Sequence, residues 1–182
     1  FEINCAGKVM LVKELPYFWS LKLDSAYDIE IYQSTHRFHW AVEKVAEGIS
    51  SEEIRLVVET IDIWIKQFSV PDDNHIAWYP YNVSERLCNW ITILQSTQIL
   101  INYPEYKQRF LTEIISNVIY LSEKLEYPAS GVINNHILNN GRALYISGKF
   151  LGNEKVALIG QEIIKEHFSI MIGGKGFLLE AS

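Results

Sequence analysis

The hydrophobic pattern of this chain predicts a protein built almost entirely of helices. Apolar residues recur at steps of three and four over long stretches, which is typical of helices with one buried face. The first such stretch runs from about Tyr32 to Glu47 and ends at Gly48. Residues 1–30, which precede it, are mixed and weakly periodic, although the alternation over residues 1–5 is compatible with a strand.

The best-marked helix begins at Ser50 or Ser51 and ends before Pro71. Either serine can cap this helix, and Glu52 and Glu53 fall in the first turn, where the helix dipole favours acids. Its apolar stripe consists of Ile54, Val57, Ile61, Trp64, Ile65 and Phe68.

Two more helices are predicted between the loop at 71–82 and Pro128. Ser84 can cap the first, and Pro104 suits the first turn of the second. The stripe of the first is Leu87, Trp90, Ile91, Leu94 and Ile101, and that of the second is Phe110, Leu111, Ile114, Ile115, Val118, Leu121 and Leu125.

The pattern predicts two final helices. One opens near residues 134–136 and runs to about Lys149, and Asn153 caps the other, which ends at the glycine-rich stretch 173–176. The inward stripe of the last helix is Val156, Ile159, Ile163, Ile164, His167 and Ile170. About six helices with short connections predict an all-α fold of antiparallel helix pairs, arranged as a bundle, a solenoid or an (α/α) toroid.

Composition excludes several classes of function. The 182 residues include 16 Lys and Arg against 22 Asp and Glu, and the net charge of −6 argues against a nucleic-acid or anionic-membrane partner. The apolar fraction of 48% excludes a disordered chain, and no apolar stretch reaches the roughly 18 residues of a membrane helix. Cys5 and Cys88 are expected to be buried free thiols. Aromatic residues, at 13%, exceed what a plain core requires and suit stacking on flat ligand faces.

Asn134, Asn135 and His136 form the strongest candidate site on physical grounds. Two amides and an imidazole stand together at a predicted helix start, where unpaired backbone N–H groups and the positive dipole end favour an anion. A carboxylate placed there would meet several donors at once. The alternative is that the asparagines only cap the helix.

Two other polar clusters are candidates for metal sites. His36 and His39 stand three residues apart, which would place both rings on one helix face, but no carboxylate falls at ligand spacing nearby. Asp72 and Asp73 follow Pro71 in a loop and are interpreted as part of a solvated turn. We therefore expect neither a metal nor a cofactor.

Several stretches together resemble the heparinase II/III family of polysaccharide lyases. Residues 78–91 are similar to that family's "W…YP…S-x-R-x-x-N-W" stretch, and residues 125–148 resemble its "L-E…N-N-H-x-L…A-L…G" helix. Residues 176–182 are similar to "D-G-x-x-x-E-x-S", with Lys175 where the family more often has Asp, and residues 31–40 match an aromatic "Y-x-x-H-x-F" helix more weakly. The order and spacing of these stretches make the set specific.

The resemblance implies an incomplete (α/α) toroid over residues 31–182, after an N-terminal mixed segment over 1–30. It implies that the chain is a truncated fragment of a larger protein, with the rest of the toroid and a β-sandwich domain as its partners. A periplasmic or secreted location follows from the same resemblance, with the cytoplasm as the alternative.

The resemblance also implies β-elimination on a uronic-acid-containing polysaccharide, such as a glycosaminoglycan or alginate. By position, Asn135 and His136 match the residues that neutralise the substrate carboxylate, while the family's base, a Tyr, and a second His would lie beyond Ser182. The full-length parent is then an enzyme, whereas this chain alone is expected to be inactive. The alternative is a non-catalytic glycan-binding protein of surface-polysaccharide metabolism.

Four further residues are candidates for substrate binding. Asn134 joins the carboxylate site, and Trp78 and Tyr79 could stack on sugar rings or pin a loop to the helical wall. Arg86 has a guanidinium that fits a carboxylate, although a structural bond to a neighbouring helix end is the alternative. Glu126 is a candidate to orient His136.

Overall fold

The computed structural model describes residues 1–20, 26–127 and 135–171, and within these ranges the chain is mostly helical. The predicted all-α class is therefore confirmed, with one small exception at the N-terminus. No helix in the described ranges is long and apolar enough to cross a membrane.

The N-terminus forms a two-stranded antiparallel hairpin. Strand β1 spans Glu2–Cys5, as the alternation predicted, and pairs with β2, Lys8–Leu11. The unpredicted second strand follows a tight turn in which Ala6 and Gly7 both have positive φ. Buried side chains on the inner face of the hairpin, Ile3, Cys5 and Met10, join the helical core. A 3₁₀ turn at Val12–Glu14 and the short helix α1, Leu15–Phe18, follow.

The predicted helix over 32–47 is interrupted, and this expectation was wrong in detail. Helix α2 spans Ala26–Arg37 and α3 spans His39–Glu47, separated by Phe38 in the left-handed conformation. The break lets the Phe38 ring pack fully buried among tryptophans, which offsets the cost of the unusual backbone. The side-chain amide of Asn89 donates to the Arg37 carbonyl at 2.8 Å and so satisfies a group beside the break.

Helix α4, Ser51–Phe68, matches its prediction closely. Ser50 is the N-cap, its hydroxyl accepts from the Glu53 backbone N–H, and the Glu53 carboxylate accepts from the Ser50 backbone N–H. This reciprocal pair is a capping box.

Helix α5, Pro80–Ser96, begins four residues before the predicted cap at Ser84, because Pro80 occupies its first turn. The Ser84 hydroxyl instead donates to the Pro80 carbonyl inside the helix. Gln98 takes a positive φ and separates α5 from the short helix α6, Ile99–Asn102. Ile101, predicted to be buried, is consequently 74% exposed.

Helix α7 spans Pro104–Glu123, and the pair α8, His136–Leu151, and α9, Glu154–Met171, completes the described fold. The α8–α9 pair is antiparallel and very close, because glycines on both helices face the partner backbone. Ile115 on α7 and Ile159 on α9 belong to the predicted inward stripes but are about half exposed.

A buried aromatic cluster lies at the centre of the molecule. It contains the side chains of Phe38, Trp40, Trp64, Trp78 and Trp90, drawn from α3, α4, α5 and the segments that precede α3 and α5. Helix α5 packs against both this cluster and α8, and thereby fixes α8 relative to the core. Cys5 and Cys88 are free and buried, as expected.

Candidate carboxylate-binding site

Asn135 and His136 stand at the start of α8, as the sequence predicted. Asn135 is the N-cap residue, yet its side chain makes no capping hydrogen bond within the described ranges and is exposed to solvent. The amide is therefore available to a ligand. Asn134, the third member of the motif, lies outside the described residues.

His136 is held from two sides. Its Nδ1 atom lies 3.2 Å from the Glu126 Oε1 atom, and the Tyr81 ring lies against the imidazole with a centroid separation of 4.7 Å. The His136 side chain remains 44% exposed. If Nδ1 carries the proton shared with Glu126, any contact between the imidazole and a ligand must be made through Nε2.

Glu126 is itself fixed by the fold. Its backbone N–H donates to the Asn140 side-chain oxygen at 2.9 Å, and the Asn140 amide donates to the Ser84 hydroxyl at 2.8 Å. These bonds tie the segment after α7 to both α8 and α5. The second carboxylate oxygen of Glu126 is buried without a hydrogen-bond partner among the described residues. The predicted role of Glu126 in orienting His136 is compatible with this geometry.

Tyr81 links His136 to a positive charge. The Arg37 guanidinium lies 5.1 Å from the centre of the Tyr81 ring, and its Nε donates to the Asn82 side-chain oxygen at 2.7 Å. Burial raises the pKa of Tyr81, with the nearby Glu85 carboxylate adding to the effect. The phenol therefore stays protonated at neutral pH, so it can donate a hydrogen bond but is a poor base.

A shallow depression of about 300 Å³ extends from Asn135 along α8. Its lining consists of Tyr81, Glu85, Asn135, Leu138, Asn139 and Arg142. The Arg142 Nη2 atom and the Glu85 Oε1 atom form an ion pair at 2.6 Å. Asn135 lies at one end of this depression, and His136 follows it directly in the chain.

Arg86 and Trp78 lie in the interior, away from this surface. The Trp78 indole is 1% exposed, donates to the Phe68 carbonyl at 3.1 Å and packs edge-on against Tyr120. It pins the loop to the helical wall, which was the alternative to stacking on sugars. Tyr79, by contrast, is 45% exposed at the start of α5 and remains open to a ligand.

The contacts of Arg86 correct the prediction that it meets a polymer carboxylate. Its guanidinium is fully buried and donates twice to the Asn117 side-chain oxygen and once to the Ala77 carbonyl at 2.8 Å. It also lies 4.2 Å from the centre of the Trp64 ring. In this arrangement Arg86 has no surface to offer a ligand, and its bonds to the segment before α5 are structural.

The candidate metal ligands either lie apart from one another or pair with other side chains. His36 is buried, accepts from the Trp64 indole at 2.9 Å, and has a pKa that burial holds well below its ordinary value. His39 is exposed beyond the Phe38 break and pairs with Glu43. Asp73 lies in a turn and pairs with Lys124. Across the described residues, no group of three or more His, Cys, Asp or Glu side chains could hold a metal ion.

Sequence reasoning missed the contribution of Asn139 and Arg142. The signal was present, because positions 135, 139 and 142 recur at helical spacing of four and three. The ion pair between Arg142 and Glu85 joins residues that are far apart in the chain, and only the packing of α5 on α8 brings them together. The stretch 176–182, which carried part of the resemblance, lies outside the described residues.

A comparison with protein-family models finds no match to this chain, and comparisons with curated proteins and with solved structures find no significant match.

Proposed function

We propose that this chain forms part of a polysaccharide lyase that cleaves uronic-acid-containing polysaccharide by β-elimination. The observation that supports the proposal is the pairing of Asn135 and His136 at the open start of α8, with His136 held at 3.2 Å by Glu126. The helix pairs then belong to an (α/α) toroid. Packing of α5 on α8 and of α8 on α9 is compatible with that arrangement.

The proposed chemistry needs donors at the substrate carboxylate. A base removes the proton on the carbon beside the carboxylate, the electron pair forms a carbon–carbon double bond, and the glycosidic oxygen leaves with a proton. Negative charge accumulates on the carboxylate oxygens as the proton departs, and a hydrogen bond from the Asn135 amide would stabilise it. His136 adds a second donor through Nε2 when both of its ring nitrogens carry protons, because Nδ1 faces Glu126. Neutralising the carboxylate makes the neighbouring proton more acidic.

A second candidate function is glycan binding without cleavage, and the contact between Tyr81 and His136 is compatible with it. Burial raises the pKa of the Tyr81 phenol, so this residue is suited to donate a hydrogen bond to a sugar. Because the base of the proposed lyase is a different tyrosine, Tyr81 serves either function.

Turnover by two variants of the full-length protein tests the proposal. Asn135→Ala and His136→Ala are assayed on acidic polysaccharides by the absorbance of the unsaturated uronate product. Each loss of a placed donor is expected to lower the rate by about 10²–10³-fold. His39→Ala is the matched control, because His39 is an exposed histidine outside the site.

The outcomes separate the two candidates. Near-normal rates in both site variants would refute the assigned roles. Binding of the polysaccharide by the unaltered protein without any unsaturated product, together with weaker binding by the two variants, would favour the glycan-binding function.

A further inference from the structure

The exposed face of α8 continues beyond Asn135 with two more polar side chains. Asn135, Asn139 and Arg142 line the same depression, with Tyr81 and Glu85 from α5 on its other side. At 1.5 Å of rise per residue, Asn135 and Arg142 are separated by about 10 Å along the helix. That distance exceeds the extent of a single sugar carboxylate and leaves room for a neighbouring unit of the polymer.

Asn139 lines this depression. Its side-chain nitrogen is buried and has no hydrogen-bond partner in the described part of the chain. A ligand oxygen can reach this donor only after the amide turns outward into the depression. Recognition of a ligand here therefore depends mainly on Arg142.

Arg142 supplies the positive charge of this surface. Its side chain is 48% exposed, and one guanidinium nitrogen pairs with Glu85, while a further contact reaches the Cys88 thiol. A guanidinium carries five N–H donors, so these contacts leave capacity for a carboxylate.

Tyr81 and Leu138 give the depression an apolar edge. An aromatic ring with a protonated hydroxyl suits the alternating apolar and hydroxyl faces of a sugar. The combination of amide, guanidinium and aromatic groups is the lining expected for an acidic sugar, because it offers a charge partner, hydrogen-bond donors and a stacking surface.

We infer that the depression lined by Asn139, Arg142 and Tyr81 is a second subsite, which binds the uronate unit next to the one held by Asn135 and His136. Arg142 pairs with the carboxylate of that unit, and Tyr81 and Leu138 pack against its sugar ring. The inference rests on the proposed function, because it extends the same polymer from the first site.

Removing the charge of Glu85 should change ligand affinity in the opposite direction from removing the charge of Arg142. The Glu85 Oε1 atom lies 2.6 Å from the Arg142 Nη2 atom, and the negative charge of this carboxylate repels an incoming uronate. Removing the Glu85 charge is therefore expected to strengthen binding. The effect of Arg142 discriminates: removing its charge weakens binding if Arg142 binds the ligand and leaves the affinity unchanged if Arg142 serves only to bond Glu85.

The test measures binding of a short oligouronate to this chain by titration calorimetry. Arg142→Gln is expected to weaken binding about tenfold, and Glu85→Gln is expected to strengthen it. Arg55→Gln is the matched control, because Arg55 is an exposed arginine paired with Glu59 at a distant helix. The same oligomer with its carboxylates methyl-esterified shows whether the Arg142 effect depends on ligand charge.

The outcomes distinguish this inference from the proposed function. Equal affinities for Arg142→Gln and Arg55→Gln, with weakened binding by His136→Ala, would overturn the second subsite and leave the first. Weakened binding by Arg142→Gln with no effect of His136→Ala would retain the subsite and overturn the first. If Arg142→Gln does not fold, Arg142→Lys takes its place: an affinity equal to that of Arg55→Lys overturns the subsite, and a weaker one supports it.

Discussion

Arg86 carries a positive charge in the interior, where the indoles of Trp64, Trp78 and Trp90 surround it. Burial lowers the pKa of its guanidinium to about 9, so the group stays charged at neutral pH. The Asn117 side chain accepts from Arg86 and donates to the Glu113 carboxylate at 2.8 Å. The three residues form one buried chain of hydrogen bonds.

Replacing Arg86 with leucine is expected to lower the free energy of unfolding by about 3–5 kcal/mol, because it leaves the partners of a buried charge unsatisfied. Urea denaturation measures the loss. Arg55→Leu, at an exposed arginine, should change stability by no more than about 0.5 kcal/mol. A similar small change for Arg86→Leu would contradict the structural role.

Glu113 makes stability depend on pH in an unusual direction. Burial raises the pKa of its carboxyl from 4.5 to about 7, although Arg86 and Asn117 act against the shift. Between these two values the folded protein holds a proton that the unfolded chain has lost. Stability from this group is therefore full below pH 4.5 and falls as the pH rises towards 7.

The variant Glu113→Gln isolates this effect. The free energy of unfolding of the unaltered protein, relative to Glu113→Gln, should fall by roughly 3 kcal/mol from pH 4.5 to above pH 7. The comparison with Glu113→Gln is necessary because His36 has the opposite effect on stability. Burial lowers the pKa of His36, so the protein loses stability as the pH falls below the ordinary histidine pKa of 6.5. A difference that stays constant with pH would contradict the buried state of Glu113.

Residue identity predicted part of the candidate site. The predicted helix start near residues 134–136 agrees with α8, which begins at His136 with Asn135 as its N-cap, whereas the role of both residues in binding stays a prediction. Arg86 and Trp78 are ambiguous in sequence, because long amphipathic side chains serve the interior and the surface alike. Only the packing of α5 against the core decides between the two uses.

At the scale of the element, backbone atoms and not side chains set the distance between α8 and α9. A Cβ added to Gly160 would lie 2.5 Å from the Gly141 carbonyl oxygen and would also collide with the Tyr145 backbone. A Cβ added to Gly148 would lie 2.7 Å from the Ala157 Cα atom. The two helices can approach this closely only because both positions are glycine.

Gly160→Ala is therefore expected to destabilise the protein by about 1–3 kcal/mol. Alanine favours an isolated helix over glycine by about 1 kcal/mol, so a loss of stability would reverse the intrinsic preference. Thermal unfolding measures the change, and Lys155→Ala on the exposed side of the same helix is the control. A stabilised Gly160→Ala variant would show that the helices are farther apart than described.

Helix boundaries were predictable where local signals set them. The serine cap and acidic first turn fixed the start of α4, whereas the break at Phe38 and the turn at Gln98 have no local signal, because left-handed phenylalanine and glutamine are imposed by tertiary packing. The apolar stripe predicted from the sequence covers more of each helix than the face that is buried, because Ile101, Ile115 and Ile159 belong to it and are exposed.

At the scale of the whole molecule, the tryptophans serve the interior. All five are buried in a single core cluster, so they do not account for the expected stacking surface. The predicted all-helical class follows from periodicity alone. Which aromatic residues reach the surface depends on how the helices pack; Tyr79 is 45% exposed, and Tyr81 lines the depression beside Asn135.

Unfolding is expected to be a single cooperative transition, because one core cluster joins the hairpin to helices α2 to α9. Urea denaturation followed by tryptophan emission and by far-ultraviolet circular dichroism should give coincident curves. Two separated transitions would show that the hairpin or the α8–α9 pair unfolds independently.

The chain of hydrogen bonds from Arg86 through Asn117 to Glu113 has a consequence for the evolution of this protein. No member of the chain can be exchanged alone without stranding its neighbours, so in diverging relatives the three positions should change together or not at all. The ion pair of Arg142 with Glu85 lies at the surface, where water can replace a lost partner, so these two positions should diverge more freely.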